Sequence, residues 1–336
     1  MRNAALAGIL AICLMAGLAV VSAKQNATKK NTEAVIIPPV KFAVVGDIML
    51  GRQVGTLMDT NGYDYPLKNI SSFLKNFDLS VGNFGGTVRE KYNYRDGLAM
   101  KFSFSPKSIA QLIDANFGVV SIANNHAFDY GAPGFDETKT NLQASGISPI
   151  GHPYDLSKGI VTTVELRDKK ITFMAFNATV PVFDTAKAGD LIAKARTENP
   201  GSLLVVLAHW GDEYAPEHNS RQESLGRAFV DRGADIVLGS HPHVVQDIER
   251  YKNKLIFYSL GNFIFDQNFS DETRRGLMLG VQLNSTTTEL GLFPINITKS
   301  QSVLMSKAER ASFLAAIAEK SPAELASAIK NSLISF

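Results

Sequence analysis

Cysteine is almost absent. Cys13 is the only one in 336 residues, and it sits inside an apolar N-terminal run. That excludes a disulfide framework and a thiolate metal site. Any bound cation must therefore be held by His, Asp, Glu or Asn. Histidine is scarce too, with six in the chain. An excess of charge is also missing: 34 Lys and Arg face 32 Asp and Glu, a net of +2. No basic stripe carries interleaved aromatics, so nothing in the balance calls for nucleic acid. No internal repeat and no low-complexity block is present. The eight methionines read as core filler. What remains is ordinary globular material, 45% hydrophobic and 20% charged.

The N-terminus departs from that balance. "MRNAALAGILAICLMAGLAVVSAKQNATKK" has Arg2, an apolar run from Ala4 to Val21, and small residues at Val21-Ser22-Ala23. Residues 1–23 read as a signal peptide or as an uncleaved membrane anchor. A lipoprotein reading through Cys13 fails because bulky Ile12 precedes it and the apolar run continues past it. The expected location is exported, in the cell envelope, anchored or secreted. Residues 24–40, "KQNATKKNTEAVIIPPV", read as a linker.

From Lys41 onward, apolar β-branched runs alternate with segments of helical spacing, which predicts an α/β fold. Strands are predicted at Phe42–Val45, Leu79–Val81, Val119–Ile122, Ile171–Phe176, Leu203–Ala208, Ile236–Leu238 and Leu255–Tyr258. Helices are predicted at Leu67–Phe77, Pro106–Asn116, Gly134–Ala144, Thr185–Thr197 and Arg221–Arg232. Ser105-Pro106 reads as an N-cap followed by proline in the first turn. Leu277–Ile297 reads as two strands around "NSTTTE". Lys307–Ile334 reads as two short amphipathic helices divided at Ser321-Pro322. The expected layout is one domain over 41–298 and a helical appendage over 299–336.

Several strands end in the same kind of residue. "KFAVVGD" ends at Asp47, "DLSVGN" at Asn83, and "GVVSIANNH" at Asn124, Asn125 and His126. "LLVVLAH" ends at His209, and "DIVLGSHPH" at His241 and His243. In open α/β sheets ligands bind at the carboxyl ends of strands. Imidazole, carboxylate and amide oxygen together suit Zn, Mn or Fe. His241 and His243, two apart, would face one side of an extended segment. Each residue also has a plainer reading. His209 alone could be a hydrogen-bonded packing residue, Asp47 a cap, and Asn124 and Asn125 turn residues. Their recurrence at separate strand ends favours one shared polar site. Asn262, in "YSLGNFIFDQ", reads as a site residue or a turn residue. Trp210, Asp212 and Glu213 read as cleft lining, with Glu213 a partner for a ligating histidine. Arg52, in "GDIMLGR", reads as an anion contact or a solvated arginine. His152 and His218 lack a strand-end context and are set aside.

The segments "FAVVGDIMLGR", "ANNHAFDYG", "HWGDEY", "GADIVLGSHPHVVQ" and "YSLGNFIF" together resemble the CapA family of capsule and poly-γ-glutamate biosynthesis proteins. The resemblance runs from Lys41 to Asp266, with the motifs in the family's order. It implies a four-layer α/β/β/α sandwich of the metallophosphatase-like kind, one or two divalent cations, and work on an anionic polymer or phosphorylated intermediate beside a membrane polymer-synthesis complex. Position by position, Asp47 resembles the first metal carboxylate and Asn125 the metal-binding amide. His126 resembles the adjacent catalytic histidine. His209, His241 and His243 resemble the remaining ligands. Read from the residues themselves, Asn83, Asn124, Glu213 and Asn262 are substrate-binding candidates, and Arg52 joins His126 as a catalytic candidate that would steady an anion. One departure is specific to this chain. In "VGNFGGTV", Gly85 stands where the resemblance calls for glutamate, which removes one carboxylate from a two-cation site.

Overall fold

The computed structural model describes residues 38–94 and 100–336. The signal or anchor expected over 1–23, and most of the linker expected over 24–40, lie outside the described residues.

In chain order the elements begin β1 (Val40–Ile48), α1 (Arg52–Asn61), α2 (Ser71–Leu74), β2 (Leu79–Phe84), β3 (Thr87–Val88), β4 (Ser103–Phe104), α3 (Ala110–Asp114), β5 (Phe117–Ser121), α4 (Gly131–Ala144) and β6 (Ser148–Ile150). They continue β7 (Val161–Leu166), β8 (Lys169–Asn177), α5 (Thr185–Glu198), β9 (Leu203–His209), α6 (Ser220–Asp231), β10 (Ile236–Ser240), β11 (Ile248–Tyr251) and β12 (Lys254–Phe257). The last are β13 (Asn262–Ile264), β14 (Arg275–Leu283), β15 (Thr288–Thr298), β16 (Gln301–Leu304), α7 (Lys307–Lys320), α8 (Ala323–Lys330) and β17 (Leu333–Ser335).

Two sheets face each other. One runs β16-β15-β14-β1-β2-β5-β6, with β13 beside the end of β1 and β17 beside β15. The other runs β11-β12-β10-β9-β8-β7. The central strands are parallel neighbours: β1 with β2, β2 with β5, β8 with β9, and β9 with β10. Such strands are buried on both faces, which explains their unbroken apolar runs. Alternate residues of β1 go to different layers. Phe42 and Val44 enter the core between the sheets, where Phe42 meets Phe173 of β8 edge-on at 5.7 Å. Ala43 and Val45 face the layer of α1, α3 and α4, with Val54, Met58, Leu112 and Leu142. On the second sheet, Val205 and Leu207 face inward, while Leu204 and Val206 meet Ala188, Ile192 and Phe229 of α5 and α6. The order is helix, sheet, sheet, helix: the four-layer α/β/β/α sandwich.

Three differences from the sequence reading have physical causes. The helix read over Leu67–Phe77 is a 3-10 turn at Tyr65–Leu67 followed by the single turn of α2. The Asn76 amide donates to Ser72 O and Phe73 O and closes the backbone there. The segment Pro106–Asn116 starts with the expected Ser105 cap, whose Oγ accepts from Lys107 N at 3.3 Å. It runs as a 3-10 turn over Pro106–Ile109 before the short α3.

The third difference is the C-terminal segment, which is no appendage. Leu314, Ile317 and Ala318 of α7, Leu325 and Ile329 of α8, and Ile334 of β17 lie in the core cluster between the two sheets. β17 pairs with β15 from Glu289↔Ser335 to Gly291↔Leu333.

One glycine sets up the site. A Cβ on Gly46 would fall 1.8 Å from Gly261 O. The two backbones touch, and this brings Asp47 and Asn262 into register across β1 and β13.

Candidate functional site

The polar residues at the strand ends meet. Asp47 ends β1 and is 2% exposed. Its Oδ1 accepts from Asn83 Nδ2 of β2 at 2.7 Å, and its Oδ2 accepts from His241 N at 3.3 Å. His243 Nδ1 lies 3.3 Å from the same Oδ2 and 2.9 Å from Asn262 Oδ1. Both partners are acceptors, so Nδ1 carries the proton and Nε2 of a neutral ring keeps its lone pair. Asn262 also donates to Thr273 O and Gln267 Oε1, each at 3.0 Å, which fixes its orientation. It is thus a supporting residue for His243, in the manner of groups that orient metal-binding imidazoles.

His209 ends β9. Its Nε2 lies 2.9 Å from Asn125 Oδ1, and its Nδ1 lies 2.9 Å from Ser240 Oγ and 3.3 Å from Asn83 Nδ2. The amide oxygen requires a proton on Nε2, so Nδ1 is the acceptor from the hydroxyl and the amide. The His209 and His241 rings are 4.8 Å apart, and those of His241 and His243 are 6.1 Å apart. His241 Nδ1 is buried and, among the described residues, has no hydrogen-bond partner. His241 and His243 have φ of 98° and 61°. The segment through Pro242 is therefore not the extended strand that the sequence reading assumed. Left-handed backbone at two non-glycine residues costs about 1–3 kcal/mol each, and such strain collects at functional sites.

Asn124 is the hinge of the neighbouring loop. Its amide donates to Asn83 Oδ1 at 3.1 Å and Phe84 O at 2.9 Å, while its Oδ1 accepts from His126 N at 3.1 Å. His126 stacks on Phe102 at 4.0 Å, and its Nδ1 lies 3.0 Å from Asp129 Oδ2. Asp129 is itself held by Phe102 N at 2.7 Å.

The charges follow from burial and pairing. Burial pushes the Asp47 carboxyl up, but the hydrogen bond and charge of His243, with His209 and Asn83, outweigh it and hold it down at about 2. Burial pushes His209 well below the usual imidazole range, and neighbouring His241 adds to this. His241 is lowered by burial and by His243. Burial acts the same way on His243, but the Asp47 carboxylate and Asn262 reverse it and raise the ring. The centre thus keeps one anionic carboxylate and two imidazoles biased to neutrality, the forms that cations require.

The other sequence candidates fall in different places. Arg52 makes a two-point ion pair with Asp266, with Nε 3.1 Å from Oδ2, so it is not a free anion contact. Its guanidinium lies over the Phe102 and Phe265 rings. Glu213 is exposed, and among the described residues it makes no hydrogen bond to His209, His241 or His243. It acts on His241 and His243 only through its charge. Trp210 is a core residue, 1% exposed, donating to Tyr258 O at 2.8 Å. Gly85 leaves open room: an added Cβ would meet only Ile48 O, at 3.8 Å.

Sequence reasoning missed Asp129, Ser240, Asp266 and Phe102. Asp129 and Asp266 stand inside motifs already singled out, three residues past His126 and four past Asn262. Ser240 precedes His241. Phe102 had no local signal.

The donor set is chemically right for a divalent cation, and His241 Nδ1 is a buried ring nitrogen with no partner among the described residues, which in its unprotonated form a cation would satisfy. The remaining donors bond one another. Among the described residues no three His, Asp or Glu side chains form a closed cage.

The model of the family "Bacterial capsule synthesis protein" matches residues 41–267, the span that holds every one of these groups. The chain is 34% identical over 295 residues to the capsule biosynthesis protein CapA of Bacillus anthracis, covering 80% of this chain and 71% of that one. It is 33% identical over 276 residues to the PGA biosynthesis protein CapA of Bacillus subtilis, covering 75% and 70%. A solved structure of a hypothetical protein from Thermus thermophilus is similar at 15% identity and a TM-score of 0.48, covering 79% of this chain and 96% of that one. This chain belongs to the bacterial capsule synthesis protein family.

Proposed function

We propose that this protein acts in the synthesis or release of a capsule polymer of the poly-γ-glutamate type at the cell envelope, as part of a membrane polymer-synthesis complex. The names of its Bacillus relatives support the polymer. The observation that carries a role for the site is the orphaned His241 Nδ1 among Asp47, Asn83, Asn125, His209 and His243. Those six side chains would hold a divalent cation, Mn, Zn or Fe. Such an ion supplies Lewis-acid polarisation and lowers the pKa of bound water towards ~7.

The chain's own groups have separable tasks. Asn262 fixes the tautomer of His243. Asn83 and Asn124 form an amide ladder that positions Asp47 and the His126 loop. Asp129 accepts from His126 Nδ1 and orients the ring, so Nε2 is the atom that moves a proton to or from a substrate oxygen. A metal-dependent phosphoesterase is the version of this reading with full catalysis. Gly85 favours a second reading, a binding subunit with one cation or none, because no carboxylate arises from that position.

Elemental analysis of residues 24–336 after incubation with Mn²⁺ and Zn²⁺ tests the reading. The expected result is about one equivalent in the parent, lost in His241→Ala. No metal in the parent would sink both the cation and the hydrolase chemistry. It would leave polymer binding as the function.

A further inference from the structure

Near the His126 loop lie two cations that have no acidic partner among the described residues. Arg89 follows β3 and Lys101 precedes β4, so the short parallel pairing of Thr87 with Ser103 and Val88 with Phe104 sets their backbones at opposite ends of the ladder, and it is the Tyr130 ring that both side chains reach. Arg89 N donates to Phe104 O at 3.0 Å. The Arg89 guanidinium lies 4.1 Å from the centroid of the Tyr130 ring, and Lys101 Nζ lies 5.6 Å from the same centroid. Tyr130 belongs to the loop that starts at Asn124. Lys101 is joined to Phe102, the ring stacked on His126. Among the described residues neither cation forms an ion pair.

Arg89 has a further peculiarity: its Nε is buried and, among the described residues, has no hydrogen-bond acceptor. A buried donor left unpaired costs free energy, and a guanidinium has no other protonation state to retreat to. An arginine kept only for packing would have acquired a carbonyl or carboxylate. Two acids of the neighbouring loop and helix are already engaged. Asp129 accepts from His126 and Phe102, and Glu137 Oε1 accepts from Glu90 N at 2.6 Å. Arg52, on the other side of Phe102, is neutralised by Asp266.

We propose that Arg89 and Lys101, seated on Tyr130, form a subsite for carboxylates of a polyanionic chain, and that it leads that chain to His126. The inference deepens the proposed function and rests on it for the nature of the polymer. Two cations on one aromatic plate suit successive carboxylates of a flexible chain. Arg89 offers a fork to one carboxylate. Lys101, on an exposed flexible stem, offers a point charge to the next.

The test is calorimetric binding of a defined poly-γ-glutamate oligomer to residues 24–336 at low salt, for the parent, Arg89→Gln, Lys101→Gln, Arg89→Lys and, as a distant surface control, Lys252→Gln. Each neutral substitution should weaken binding about threefold to tenfold, as expected for partly exposed charge contacts. Arg89→Lys should recover part of the loss. Lys252→Gln should match the parent, and the differences should shrink with added salt. Thermal unfolding of each variant separates lost binding from lost fold. Inorganic phosphate at equal ionic strength should not compete. Competition by phosphate that Arg89→Gln abolishes would overturn the carboxylate assignment in favour of a phosphoryl group. Equal binding by parent and both neutral variants would overturn the subsite while leaving the proposed function standing. No binding by the parent would also overturn it, and the elemental analysis would still judge the cation site independently.

Discussion

Arg52 and Asp266 hold each other across 214 residues of sequence. The pair is two-pronged, and Asp266 Oδ2 also accepts from Gln53 N at 3.1 Å. Asp266 is thereby the acid at the start of α1, and Arg52 seals the segment after β13 onto the segment after β1. A double-mutant cycle of Arg52→Ala and Asp266→Ala by urea unfolding should give a coupling of about 1–2 kcal/mol, as for hydrogen bonds to charged groups with limited exposure. Arg52→Lys should lose much of it, since an ammonium cannot span two oxygens. A coupling within ~0.3 kcal/mol of zero would show that the pair is ornamental and that Arg52 is free to serve an anion.

The C-terminal helices give a prediction against the sequence reading. Leu314 and Ile329 are fully buried between the sheets. Leu314→Ala and Ile329→Ala should each cost about 2–5 kcal/mol, the range for truncating a core aliphatic residue. An independent appendage would lose less than about 0.5 kcal/mol, and urea unfolding separates the two.

That contrast marks what the sequence could show. Strand ends were legible because apolar runs stop abruptly at Asp47, Asn83, His209 and the residues before His241, and polar residues at such stops stand out. The amphipathic face of α7 looks the same whether it covers a core or stands alone, so its burial was not legible. Nor was α1, whose buried face is only Val54, Gly55 and Met58. The partners of Arg52 and Glu213 were not legible for a related reason. A charged residue in a motif shows its chemistry, but its partner is chosen by tertiary contact. The positive φ of His241 and His243 runs against residue preference, and no local pattern announces it.

Gly85 carries a prediction whose sign depends on metal. The backbone has room for a Cβ there, so Gly85→Ala should fold with a change within about 0.5 kcal/mol. Gly85→Glu places an unpaired carboxylate in a buried position, which costs stability when nothing neutralises it. In EDTA its melting temperature should fall below the parent's. With saturating Mn²⁺ the gap should close or reverse, because ligand binding to the native state stabilises it. An equal deficit with and without metal would show that position 85 does not face the cation site.

The last prediction concerns the loop that follows β9. His218 stacks on Tyr258 at 3.8 Å, its Nδ1 lies 2.8 Å from Asp247 Oδ2, and its backbone N donates to Asp247 Oδ1 at 3.2 Å. Gln246 adds bonds to Ala215 O and Glu217 O, so the loop bearing Tyr214 is fastened to the segment after His243. The Asp247 hydrogen bond raises the His218 imidazole above its usual value, against the opposing effect of burial. A raised folded-state value means that the pair's contribution is fully present below the unfolded value near 6.5 and is lost as pH rises through the folded value. His218→Gln should therefore be less stable than the parent at pH 5.5, and the difference in melting temperature should shrink by pH 8.5. Asp247→Asn should show the same convergence. A difference that stays constant or grows with pH would mean that stacking on Tyr258, and not the charge pair, fastens the loop.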